Sequence, residues 1–169
     1  MSNQSITAHE IEAFRRFVLL LPRERDPTLL ILKGHLLIEE QIRKIIDERV
    51  EKPEVVAEAQ LDCFQAICLA EALCANSSNL SLWKSLRRLN NLRNDIAHKI
   101  DDKGLEDKMT HLVSMVKAHS MIGEAGTTGE STLDAFGFAL WFVFCQVAAL
   151  VKRPAAPVLE LLPSSTNAA

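Results

Sequence analysis

Apolar residues recur at helical spacing along almost the whole of this chain, and no stretch alternates with the period of a strand. Thr7-Ala8-His9-Glu10 fits a capping box, and the helix it starts runs to about Leu20, where Leu21-Pro22 stops it. Asp26-Pro27 reads as an N-cap followed by a proline at the first helical position. A long second helix follows to about Val50. Pro53 separates a third helix, expected to run unbroken from about Glu54 to Cys74. The Asn/Ser cluster at 76–79 precedes a fourth helix ending near Ile100. A fifth helix is expected from about Leu105 to Met121, and a sixth from about Thr132 to Arg153.

Composition supports this reading. Seven Phe, two Trp and no Tyr are few aromatics for a β protein. The 169 residues are 48% hydrophobic and 24% charged, which suits one folded domain and argues against disorder. A net charge of −3 excludes a uniformly basic nucleic-acid coat, though not a local basic patch. The expected architecture is therefore all-α, an up-and-down bundle of about six helices over residues 1–153. Residues 154–169, rich in Pro and Ala, are expected to be an extended or disordered tail.

The N-terminus has no basic stretch followed by an apolar core, so no signal peptide is read there and a cytoplasmic location is expected. Cys63, Cys68, Cys74 and Cys145 form no Cys-x-x-Cys pair, and no His stands at metal-ligand spacing beside them in sequence. They are read as reduced thiols, with no metal and no cofactor expected, the alternative being a disulfide framework or a zinc site. The run from Ala135 to Val151 is apolar except for Gln146. Its length reaches the lower limit for a membrane span, about 17 residues. The preferred reading is a buried or interfacial bundle helix, with no membrane partner. The Gly-containing loop at 123–132 lacks the Gly-Lys-Ser/Thr ending of a phosphate-binding loop.

The most informative stretch is SLWKSLRRLNNLRNDIAHKID, Ser81 to Asp101. At about 100° per residue, Leu82, Leu86, Leu89, Ile96 and Ile100 form one stripe with Arg93 in its middle. A guanidinium among leucines needs a carboxylate, a bound anion or a partner subunit, because a buried unpaired charge costs several kcal/mol. Asn90 and Asn94 flank the stripe. His98 is five positions after Arg93, about 140° around an ideal helix, whereas Asn94 and His98 share a face.

Arg93-Asn94-Asp95-Ile96-Ala97-His98 resembles the Arg-(four to six residues)-His signature of the HEPN superfamily (higher eukaryotes and prokaryotes nucleotide-binding domains). Asn94 fits a common variant of the polar residue after the Arg. Gly34 to Asp47 resembles the second-helix region of uncharacterised bacterial members. The resemblance extends over about Ile6 to Arg153 at the level of helix order. It implies a homodimeric, metal-independent endoribonuclease, with a toxin or phage-defence role as its setting. The RNA 2′-hydroxyl would attack the adjacent phosphate, with His98 as general acid or base. Arg93 would stabilise charge on the phosphate, and Asn94 would orient it or hold Arg93 or His98. Glu39 and Asp95 are expected in support. Lys84, Arg87, Arg88 and Lys99 are candidate RNA contacts, with Trp83 as a base-stacking platform. An alternative for Lys84, Arg87 and Arg88 is the solvated face of an amphipathic helix.

A Tyr that some HEPN toxins carry shortly after the His is replaced here by Lys99-Ile100. This argues against control by modification of that Tyr, and no antitoxin partner is inferred. Two other readings stand beside the nuclease. One is a catalytically inactive HEPN-like module for a nucleotide, RNA or protein; the other is a helical dimerisation protein. In either, Arg93 would pair with Glu39 or hold a ligand, and His98 would cap a helix. His35 lies on an apolar stripe and reads as a satisfied core histidine, while His111 and His119 read as exposed. Glu39-Glu40 point apart and make no carboxylate pair.

Overall fold

The computed structural model describes residues 8–22, 25–74, 80–98, 104–118 and 131–151, with the backbone alone described at residues 8–10 and 98. Among these residues the chain is a helical bundle without strands. Its helices are α1 (Ala8–Leu20), α2 (Pro27–Asp47), α3 (Pro53–Glu58), α4 (Cys63–Leu73), α5 (Leu80–His98), α6 (Leu105–Lys117) and α7 (Thr132–Val151). Thr7 of the expected first capping box, the Asn/Ser cluster, residues 123–130 of the Gly-containing loop and the tail lie outside the described residues.

The expected third helix is two helices. The chain turns at Gln60, whose φ of +49° is left-handed, and a new helix starts at Asp62. The Asp62 carboxylate accepts from the Gln65 backbone N–H at 2.8 Å, and the Gln65 side chain accepts from the Asp62 N–H at 3.0 Å. That reciprocal capping box satisfies donors that an unbroken helix would have bonded to earlier carbonyls. Burial explains why the break is tolerated. Helix α3 buries no residue, whereas α4 buries Ala66, Ile67 and Ala70. The short helix α3 therefore has little packing to hold it in line with α4.

At the start of α2 the sequence expectation holds in detail. Asp26 Oδ1 accepts from Thr28 N–H at 2.8 Å and from Leu29 N–H at 3.1 Å, and Pro27 occupies the first turn. Helix α2 buries Leu30, Ile31, Leu37, Ile38, Ile42, Ile45 and Ile46, a stripe at helical spacing.

Helix α7 packs against α1, α2, α5 and α6, so the most apolar element lies inside the bundle. Its Phe136, Leu140, Val143, Phe144 and Val147 are buried, and Phe144 stacks on Phe17 of α1 with ring centroids 4.5 Å apart. It is also long and apolar enough to cross a membrane by length and composition, and half of its most apolar window is buried within the bundle. At Gly34 of α2, the side chain of Leu140 of α7 fills the space of a Cβ, which would stand 2.6 Å from Leu140 Cδ1. At the end of α7, Arg49 donates to the Leu150 carbonyl at 2.9 Å, meeting an acceptor that the helix terminus leaves open.

Candidate functional site

Helix α5 carries the Arg93 motif and fixes its depth. Leu82, Trp83, Leu86, Leu89 and Leu92 are buried, with Ser85 and Asn90 among them. Toward the C-terminal end burial fades. Arg93, Asn94 and Ile96 are only partly buried, and Ala97 is exposed. Arg93 thus stands where the apolar stripe leaves the core, at the junction of α5 with α2 and α4. Its charge is felt there by His35 of α2 and Cys63 of α4.

The Arg93 guanidinium donates from Nη1 to Asn94 Oδ1 at 3.2 Å. The expected pairing with Glu39 is not formed. Glu39 Oε1 instead accepts from Nε and Nη2 of Arg43, at 3.1 and 2.6 Å, one turn along α2. The reason is geometric: positions four apart on one helix meet without any interhelical reach. Arg43 also donates to the Leu61 carbonyl at 3.1 Å, tying the α3–α4 break to α2. Among the described residues, Arg93 therefore has no carboxylate within ion-pair distance.

His98 is the last residue of α5. Its side chain lies outside the described residues, as does Lys99, and so does any convergence of His98 with Arg93. Asp95 takes the Lys108 ammonium at 2.8 Å and so links α5 to α6.

Other expected contacts are redistributed. Trp83 is 1% exposed and belongs to the core, so it has no face for a base. The sequence shows why in retrospect: Trp83 lies beside Leu82 and at helical spacing from Leu86 and Asn90, all buried. Arg87 forms an ion pair with Glu71 of α4, which removes it from the free basic surface. Arg88 is partly buried, with Nε shielded and without a hydrogen-bond partner among the described residues. Lys84 is exposed. Glu40 is held by Arg16 of α1 and by Lys44 at 3.0 Å, so Glu39 and Glu40 do serve separate partners. His111 is exposed, and His119 lies outside the described residues.

Beneath Arg93 lies a polar cluster that sequence reading did not assemble. His35 is 4% exposed. Its Nε2 stands 3.2 Å from Asn90 Oδ1 and 3.4 Å from Cys63 Sγ. Its Nδ1 has no hydrogen-bond partner and faces Glu39 Oε2 at 3.8 Å. The imidazole pKa lies below its ordinary value, chiefly because burial disfavours the cation; Arg93 adds to this, while Asn90 and Glu39 oppose it. The Cys63 thiol is pushed up to about 12, first by burial and then by the Glu39 charge. His35 is accordingly a buried histidine that is only half satisfied. The His35–Glu39 spacing of four was legible in α2. Cys63 was not, because it enters the cluster only through the break before α4.

Comparisons with protein-family models, with curated proteins and with solved structures find no match to this chain.

Proposed function

We propose that the chain is a metal-independent endoribonuclease of the HEPN type, acting at the cleft of a homodimer with Arg93 and His98 as its working residues. The observation carrying this reading is Arg93 itself. It stands at the edge of the core with no carboxylate pair among the described residues, and Glu39, the acid expected to pair with it, is engaged by Arg43. A partly buried guanidinium in that state favours an anionic ligand, and a phosphodiester suits its planar fork of donors.

In the reaction, the RNA 2′-hydroxyl attacks the adjacent phosphorus and the 5′-oxygen leaves, giving a 2′,3′-cyclic phosphate. Arg93 stabilises the charge that grows on the non-bridging oxygens. Asn94, already bonded to Arg93, orients the guanidinium. His98 moves the proton, as base toward the 2′-hydroxyl or as acid toward the leaving oxygen. The 2′-hydroxyl requirement makes RNA the substrate rather than DNA.

A second reading is favoured by the burial of Trp83 and the pairing of Arg87. With these gone from the surface, the contact area around Arg93 is small. That suits a silent module holding a nucleotide or a short RNA end.

Cleavage of mixed RNAs in EDTA separates the two. The nuclease predicts products ending in 2′,3′-cyclic phosphate. It also predicts that folded His98→Ala is slower by about 10²–10⁴-fold, the usual range for a lost general acid or base. Absence of cleavage by folded wild-type protein, with retained binding of a nucleotide or short RNA, would install the second reading instead.

A further inference from the structure

We propose that His35, Glu39 and Cys63 form a zinc site that clips α2 to the start of α4. One donor atom from each of the three lies within 4.8 Å of the others. Imidazole nitrogen, carboxylate oxygen and thiolate sulfur together are a zinc donor set, too soft for calcium or magnesium. Tetrahedral zinc, with bonds of about 2.0–2.3 Å, asks its donors to stand about 3.3–3.6 Å apart. Glu39 Oε2 and His35 Nδ1 are 3.8 Å apart, so a small rotation of either side chain closes that edge. Cys63 Sγ stands 3.4 Å from the other ring nitrogen, Nε2, so the thiolate must turn toward the Nδ1 side to complete the site.

The surroundings match what metal ligands require. His35 Nδ1 is unpartnered on a ring that is 4% exposed, and the free carboxylate oxygen of Glu39 faces it. With Nδ1 on the metal, Nε2–H donates to Asn90 Oδ1, which lies 3.2 Å away. That outer partner fixes the tautomer and the ring plane. The other oxygen of Glu39 is gripped by the Arg43 fork, which orients the carboxylate and leaves Oε2 for the ion. Binding converts the Cys63 thiol to a thiolate, its proton passing to solvent, and water fills the fourth position.

The fold supplies a reason for the clip. Cys63 is the first residue of α4, directly after the turn at Gln60 and the Asp62 cap. Zinc would tie α2 to the α4 side of this break through side chains, where the Arg43 bond to the Leu61 carbonyl now ties α2 to the break itself. This site takes no part in the phosphodiester chemistry proposed above, so RNA cleavage in EDTA and zinc binding are independent readouts.

Full-length protein, stripped of metal, is titrated with Co²⁺ and then with Zn²⁺. The expected result is one cobalt per chain, with a thiolate-to-cobalt charge-transfer band and the intense visible bands of a tetrahedral centre, all displaced by zinc. Cys63→Ala should abolish the charge-transfer band. It should also weaken zinc binding by more than about tenfold, the smallest loss usual even for an outer-shell partner. His35→Gln tests the nitrogen donor, and the Cys68→Ala/Cys145→Ala double variant should retain the full spectrum. Circular dichroism checks the fold of each. A spectrum without the charge-transfer band, or one that survives in folded Cys63→Ala, would overturn the site. Zinc affinity unchanged in both Cys63→Ala and His35→Gln would do the same.

Discussion

At the scale of single residues, the buried polar groups and the partners they find decide the character of the site. Burial disfavours the cationic form of His35 in the folded chain and outweighs its hydrogen bond to Asn90 and the charge of Glu39. The sign of the pH effect follows. Its folded pKa is depressed, so the unfolded chain binds more protons once the pH falls below the ordinary imidazole value of about 6.5. Stability is fully present above that value and is lost as the pH falls toward the folded pKa. In chelator, the melting temperature should drop as the pH falls below about 6.5, and His35→Gln should flatten that drop. A wild-type profile as flat as the variant's would show that His35 is not held neutral. Trp83 makes a second prediction at this scale. As a core residue, its replacement by Ala should cost about 3–5 kcal/mol in denaturant unfolding. A loss of RNA affinity without loss of stability would return it to the surface. Arg87 and Arg88 illustrate why a run of basic residues does not read as a patch. Arg87 pairs directly with Glu71 of the neighbouring helix α4, and only the tertiary fold reveals that pairing.

At the scale of elements, helix positions and starts were largely legible. Asp26-Pro27 announced α2, and its cap is formed as the dipeptide implies. The break between α3 and α4 was present as Asp62-Cys63-Phe64-Gln65, a capping box inside a continuous apolar pattern. Periodicity alone conceals it, because Ile67 and Ala70 continue the register expected from Val56. Asp62→Ala should destabilise the protein by about 1 kcal/mol, the usual worth of an N-cap, measured by urea unfolding. No change would mean that packing of α4 alone fixes the break. Gly34 leaves room for Leu140 of α7 against α2. Gly34→Ile should cost about 2 kcal/mol through overpacking against Leu140, whereas an exposed helical glycine would gain from the exchange. Melting of the purified variant decides between these signs.

At the scale of the whole molecule, the most apolar sequence became the hub of the bundle, with four helices around α7. A 3.6-residue period names the elements and one buried face of each, which is why the all-α class was legible. It carries no information on which faces meet across the bundle. The cluster of His35, Glu39, Cys63, Asn90 and Arg93 draws on α2, α4 and α5, and no local pattern joins those helices. Arg93 was identified because a charge interrupts a leucine stripe, a signal confined to one helix. The partner expected for it, Glu39, lay on the correct helix but was claimed by Arg43 four residues on. Our proposal makes the folded unit a homodimer, and sedimentation equilibrium should give twice the chain mass. A monomer that cleaves RNA at full rate would remove the shared cleft from the mechanism.

Our proposal assigns Arg93 to an anionic ligand rather than to the stability of the bundle. The most direct measurement compares Arg93→Ala with wild type in thermal unfolding and in RNA cleavage under chelator, on the same preparations. The account predicts a melting temperature within a few degrees of wild type, a shift worth less than about 1 kcal/mol for a domain of this size. It predicts cleavage reduced by about 10²-fold or more, as for loss of a transition-state charge donor. A folded Arg93→Ala that cleaves RNA at the wild-type rate, or one that unfolds outright, would contradict it.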